Sequence, residues 1–267
     1  MLLTVRTSPS VPARRKEAGR KIVNLVDGVR TQANQRYVSI ARVSETVQLV
    51  ERREGPYGEV ALRRRGECFE IIANGCFLMD SSDGRSERLL VSAALDRLER
   101  PRGASLLIGG LGVGFSLAEA SADPRPGRIH VVEREQAVID WHTRGAAPLR
   151  RFAGTGHGDP RARILTGDLL RHMRTTGDRY DAVCLDIDNG PDWTVTDGNQ
   201  GVYAADGLTA LERVLTGSGV LSVWSAARAP EFTQRLASRF ARVETLEVPV
   251  LPGRRGEPDV VILASRA

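Results

Sequence analysis

The sequence predicts an α/β protein: a doubly wound, mostly parallel sheet with a small N-terminal antiparallel β domain. Three observations carry that reading. Short apolar strands alternate with helical patterns from about residue 104 to 225, which is how βαβ units read. A glycine-rich turn, Gly109-Gly110-Leu111-Gly112-Val113-Gly114, follows the first of those strands. Upstream, short runs are separated by turn residues at hairpin spacing.

In chain order, residues 1–37 come first. They mix Ser, Pro, Arg and Gly, and their apolar residues are sparse. They lack the apolar stretch of a secretory signal. Eight basic residues against two acids give this segment more than the whole net charge of +5. It is expected to be a disordered basic tail, dispensable for fold and catalysis. Residues 45–85 then form the small β domain. Val47–Glu51 and Glu59–Arg63 flank Gly55-Pro56-Tyr57-Gly58, and Phe69–Ile72 and Cys76–Met79 flank Asn74-Gly75, a strong hairpin dipeptide. Ser86 to Leu98 has helical spacing of Leu89, Leu90, Ala93, Ala94 and Leu98, and Pro101 ends it.

The second domain, 86–267, continues with a buried strand at Ser105–Ile108 and a short helix at Phe115–Ala122. Strands are predicted at Arg128–Glu133, Arg163–Leu165, Asp181–Asp186 and Gly219–Trp224. Helices are predicted at Gln136–His142, Asp168–Met173 and Asp206–Leu215. Ala241–Val248 and Asp259–Ala264, separated by Pro252-Gly253, are expected to pair antiparallel at one edge.

Composition narrows the function. An apolar fraction of 41% and a charged fraction of 27% describe a globular protein. No apolar run approaches the roughly 20 residues of a membrane-spanning helix. Three scattered cysteines, Cys68, Cys76 and Cys184, do not make a disulfide framework or a zinc site, so a reducing, cytoplasmic setting is expected. The four histidines show no ligand spacing, and no metal is expected. With the basic charge confined to the tail, the body is close to neutral, and a nucleic-acid partner is not expected.

The glycine turn is the strongest chemical signal. A strand-to-helix turn without side chains lets backbone N–H groups approach a ligand. Gly109, Gly110, Gly112 and Gly114 are the candidate contacts. Glu133 ends the next strand and suits the two hydroxyls of a ribose, the alternative being a solvated strand end. Asp168 ends the third strand and suits an adenine amino group, the alternative being a helix N-cap. The fourth strand ends in Asp186-Ile187-Asp188-Asn189, acids placed to take a proton from a nucleophile or to cap the next helix. His157 lies in a glycine-rich loop and is expected to be mobile rather than catalytic. Trp193, Tyr203 and Trp224 fall near the carboxyl edge of the sheet, as walls of an acceptor pocket or as core.

These motifs resemble the spermidine synthase-like branch of the class I S-adenosylmethionine-dependent transferases. The resemblance runs from about Tyr57 to Ala264. It includes Asn74-Gly75, the Gly109–Gly114 turn, Val132-Glu133-x-Glu135, Gly167-Asp168, Tyr180-Asp181 and Leu185-Asp186. It implies a Rossmann-like core behind a β-hairpin domain, usually assembled as dimers or tetramers, and aminopropyl transfer from decarboxylated S-adenosylmethionine to an amine. Carried over by position, it implies Glu133 on the ribose, Asp168 on the adenine and Asp186 as the base, with Asp188 able to substitute in part.

The departures from the family pattern are equally specific. Gly112 stands where the family has an Asp that contacts the donor's amine. Gly58 replaces a Gln, Glu87-Arg88 replaces Tyr-Gln, and Asn189 replaces the second acid of Asp-x-x-Asp. Arg88 would suit a donor that keeps its carboxylate, or is a solvated helix-start residue. Because of these departures together, methyl transfer from S-adenosylmethionine to a small-molecule acceptor is slightly preferred, with Arg88, Asn189, Tyr203 and Trp224 as candidate substrate contacts and a homodimer expected. The alternatives are aminopropyl transfer and a non-catalytic nucleoside-binding module.

Overall fold

Alternation within the central strands decides the layers. In this computed structural model, which describes residues 46–195, 198–253 and 256–266, β5 (Ala104–Gly109) sends Leu106 and Ile108 into one apolar cluster and Leu107 into another. β8 (Tyr180–Leu185) divides likewise, with Ala182 and Cys184 on one side and Val183 and Leu185 on the other. Strands buried on both faces need helices on both faces. Each fully buried aliphatic side chain contributes roughly 1.5–3 kcal/mol.

The first face is covered by α1 (Arg85–Asp96), α2 (Phe115–Ala122) and α3 (Gln136–Thr143). Ser222 Oγ donates to the Leu90 carbonyl at 2.9 Å, which fixes α1 across the strands. The second face is covered by α4 (Leu169–Thr175), the single turn α5 (Gln200–Tyr203), α6 (Ala205–Val214) and α7 (Pro230–Ala237).

β6 (Pro126–Glu133), β7 (Ala162–Thr166), β9 (Leu215–Ser225), β10 (Arg242–Val248) and β11 (Asp259–Ser265) complete the main sheet, in the order β10-β11-β9-β8-β5-β6-β7. β5 pairs parallel with both β6 and β8. The chain winds outward through β6 and β7, then returns to β8. That reversal is a topological switch point, where open α/β sheets bind ligands. β10 and β11 pair antiparallel at the edge, as the sequence predicts.

Ahead of this core, β1 (Val47–Gly55), β2 (Gly58–Arg65), β3 (Cys68–Ala73) and β4 (Cys76–Asp80) form an antiparallel four-stranded sheet in chain order. Asn74 and Gly75 turn with φ of 50° and 78°, as the dipeptide predicts. Residues 44–267 form one compact unit, and the expectation for residues 1–37 lies outside the described residues.

Three differences from the sequence reading have simple causes. β9 begins at Leu215 rather than Gly219, because Gly217 and Gly219 have no side chains to show an alternation. β8 ends at Leu185, so Asp186 lies just beyond the strand, its N–H still donating to the Gly109 carbonyl at 2.8 Å. α7 was not anticipated, although Pro230 at its first turn and buried Phe232 and Leu236 at i, i+4 are its signal.

Candidate active site

The carboxyl ends of β5, β6, β7 and β8 meet under the small sheet. A cavity there is lined by Gly110, Gly112, Glu133, Asp168, Asp186 and Asp188, and on the other side by Val60, Ile71, Leu78 and Met79. The sheet core and the β domain each supply one wall.

Backbone geometry builds the turn. Gly110 has φ of 93°, and a Cβ there would collide with the Asp186 carbonyl. Only glycine lets the turn pass this close to the next strand's end. Gly112 has φ of 48°, and the space a side chain would need is held by the Met79 thioether, which accepts from the Val113 N–H at 3.3 Å. An Asp at this position would adopt a positive φ and would have to displace the Met79 thioether.

Two histidines brace the turn from behind. His142 Nε2 lies 2.9 Å from the Gly112 carbonyl, so that nitrogen carries the proton and donates. His142 Nδ1 is then the acceptor for His157 Nε2, 3.0 Å away. Burial pushes His142 down to about 4, so this ring is neutral at pH 7. His157 is thus fixed by a hydrogen bond within a short 3-10 turn at Gly156–Gly158, rather than lying in an open loop.

Glu133 is buried, with one carboxylate oxygen accepting from Leu111 N–H and the other from Glu135 N–H, each at 2.8 Å. Each oxygen keeps a lone pair for a ligand, which fits a diol. Asp168 caps α4 by accepting from Arg171 N–H at 2.7 Å and also lines the cavity. The helix N-cap reading is therefore observed, and the residue's place on the cavity leaves its other oxygen towards that space.

Asp186 accepts from Ser116 Oγ at 2.7 Å. It lies deep among protein atoms, with part of its surface on the cavity, and this desolvation pushes it up to about 6. Glu87, in the first turn of α1, is 5% exposed and lines the same cavity. Burial, then the Asp186 charge, push it up to about 8. Neither acid is in an ion pair among the described residues.

The other sequence candidates divide. Asp188 lines the cavity with φ of 58°, but its carboxylate is engaged by Asn189 N–H, Val195 N–H and Asn199 Nδ2. It organises the loop after β8, and a partly substituting base would first have to give up these donors. Asn189 is buried and donates to the Phe77 carbonyl at 3.4 Å. Tyr203 is core: its hydroxyl donates to the Ile187 carbonyl at 3.1 Å and its ring packs edge-on against Phe232. Arg88 does not line the cavity. Its guanidinium sits 5.2 Å from the Phe115 ring centroid and 3.8 Å from Glu119.

Trp224 lines this cavity and a neighbouring one, and the two adjoin at Leu78, Met79, Glu87 and Trp224. Five carboxyls, of Asp80, Asp83, Glu87, Glu257 and Asp259, line the outer cavity against the Arg85 guanidinium, among the described residues. Phe77 and Trp193 are exposed in the same wall. Sequence reasoning missed Glu87 and Asp259. The signal for Glu87 was its departure from the family pattern.

Comparison with known proteins finds relatives in sequence and in fold. Polyamine aminopropyltransferase 2 of Streptomyces coelicolor is 30% identical over 162 residues, and the like-named protein of Aquifex aeolicus is 25% identical over 141 residues. These matches take in 59% and 52% of this chain, but 27% and 28% of those proteins. The chain thus spans about a quarter of the length of the curated relatives it matches. A spermidine synthase solved with the transition-state analogue AdoDATO superposes with a TM-score of 0.68 at 15% identity, over 82% of this chain and 74% of that one. The fold is that of spermidine synthase. The spermidine synthase from Thermotoga maritima gives a TM-score of 0.66 at 16% identity, over 82% and 73% of the two chains. No protein-family model matches. The chain is therefore similar in sequence to polyamine aminopropyltransferases and has a spermidine synthase-type fold, an α/β core with an antiparallel N-terminal sheet.

Proposed function

We propose that the protein is an aminopropyltransferase, moving the aminopropyl group of decarboxylated S-adenosylmethionine to a small amine. The observation that carries the reading is Asp186. It is a deeply placed carboxylate at the cavity where the sheet ends converge, with one hydroxyl partner and no cation in a salt bridge among the described residues. An acid desolvated in this way, without a cation, is costly unless a ligand supplies one. The adjoining outer cavity, acidic and walled by aromatic rings, suits an ammonium on an alkyl chain.

The preference for methyl transfer rested on the missing polar groups at Gly58, Gly112 and Asn189 and, for the donor carboxylate, on Arg88. The Arg88 guanidinium is turned onto Phe115 and Glu119, so that part of the support is gone. The named relatives favour the amine reading.

The residues fit a sulfonium nucleoside. Gly110 gives close backbone approach, Glu133 offers two oriented oxygens and Asp168 stands at the next strand end. The donor supplies a carbon already activated by its bond to sulfonium. The protein's part is then alignment, exclusion of water and removal of one proton from the acceptor nitrogen. Asp186, ionised near neutral pH, takes that proton. The apolar wall of Val60, Ile71 and Leu78 keeps water from the reacting carbon.

Calorimetry with both donors, and mass spectrometry of products from linear diamines, test the reading. The expected result is tighter binding of the decarboxylated donor and an aminopropyl increment on the amine. A methyl increment with S-adenosylmethionine alone would overturn it.

A further inference from the structure

The Ser86 hydroxyl sits 2.9 Å from Glu87 Oε2 and 2.9 Å from Asp259 Oδ2. A hydroxyl has one proton, so it donates to one carboxyl and must accept from the other. The trio therefore holds a second proton, on Glu87 or on Asp259. Ser86 is buried, being 4% exposed. Glu87 lines both cavities, whereas Asp259 lines the outer one. The indole nitrogen of Trp224, which also lines both cavities, is buried without a hydrogen-bond partner among the described residues. An unmet donor at the same junction marks a place built to meet something besides protein.

We propose that Glu87, Ser86 and Asp259 form a proton relay that carries the acceptor's proton from the inner cavity to the outer one. The proposal rests on the aminopropyltransferase reading, in which Asp186 gains a proton in each turnover and must lose it before the next. The step balances without any co-reactant but water. Asp186 returns its proton to water that enters the inner cavity once product has left. That water gives a proton to Glu87 Oε1 in the same step as Glu87 gives up the one on Oε2. Glu87 passes the proton on Oε2 to the Ser86 oxygen. Ser86 passes its own to Asp259 Oδ2, and Asp259 releases it to solvent in the outer cavity. One proton enters at Glu87 for each that leaves at Asp259, and no bond between heavy atoms changes.

The electrostatics agree with that direction. Burial and the Asp186 charge hold Glu87 protonated at neutral pH. Asp259 is also raised by burial, with Asp83 raising it and Arg85 lowering it. The relay thus runs from a carboxyl beside the base to one beside a surface cation.

Ser86→Ala should lower kcat by about a hundredfold, the low end for a positioned proton-transfer group, while KM for the amine changes little. Ser86→Thr, which keeps the hydroxyl, should recover most of it. Added imidazole, a diffusible proton carrier, should speed Ser86→Ala and not the wild type. Equal loss in the Ala and Thr variants, or no imidazole effect, would overturn the relay in favour of a packing role. A second measurement needs no turnover. The infrared band of a protonated carboxyl should be present at pH 7, absent in Glu87→Gln and shifted in Ser86→Ala. If the wild type transfers nothing to any amine, the functional reading fails. The infrared band then decides the relay separately, its absence counting against it.

Discussion

Glu87 and Arg88 are neighbours in sequence and part company in space. Adjacent side chains on an α-helix diverge by about 100°, so when Glu87 turns into the cavity, Arg88 turns to Phe115 and Glu119. That rotation inverts the electrostatic argument, because an expected cation at the site is replaced by an acid. A buried carboxyl raised to about 8 binds a proton in the folded protein that the unfolded chain releases near 4.5. Its contribution to stability is complete below about 4.5 and is lost as pH rises towards 8. The wild-type melting temperature should fall across this window, and Glu87→Gln should flatten the fall. Above pH 8 the variant should melt a few degrees higher, since about 1 kcal/mol moves Tm by ~2–4 °C in a chain this size. An unchanged slope by calorimetry would refute the protonated state. Asp186→Asn should keep donor binding and slow transfer by about two to four orders of magnitude, read in single turnover. A normal rate would remove Asp186 as the base. Asp188→Asn should act differently, loosening the hold of its carboxylate on Asn189, Val195 and Asn199.

Between residues and fold stands the glycine turn, an element that depends on two others. Met79 on β4 packs against Gly112 from the front, and His142 on α3 donates to its carbonyl from behind. Restoring the family's acid by Gly112→Asp should overpack the Met79 contact and cost about 1–3 kcal/mol. Met79→Ala in the same chain should recover part of that loss. Chemical denaturation of the single and double variants measures the coupling. Additive losses would show that Met79 and position 112 do not meet. Most elements were legible in the sequence because their signals are local. Asn74-Gly75 gives the hairpin, and Phe115–Ala122 is bounded as expected by Gly114 and Asp123. α7 and the start of β9 were harder to see, since a two-residue apolar signal and a glycine-broken strand carry little periodicity.

At the scale of the molecule, the sheet order brings four strand ends to one edge, and the β domain closes the space above them. A chain beginning at Val38 should keep its melting temperature within about 2 °C and its donor binding, because residues 1–37 have too little apolar content to pack a core. Insolubility or lost binding would show that the tail belongs to the working molecule.

The α/β class, the glycine turn, and Glu133, Asp168 and Asp186 at or just past successive strand ends can all be read from the chain alone. These follow from periodicity, from glycine's freedom and from the rule that parallel strands present their carboxyl ends together. Which way Glu87 and Arg88 face emerges only from the packed fold. Only it showed that Tyr203 is core, that Asp188 is held by its own loop, and that Ser86 on α1 meets Asp259 on β11, 173 residues later in the chain. The reason is physical. A residue's place along a strand or helix is set by its neighbours in sequence, but a carboxyl's charge and partners are set by whatever packs against it.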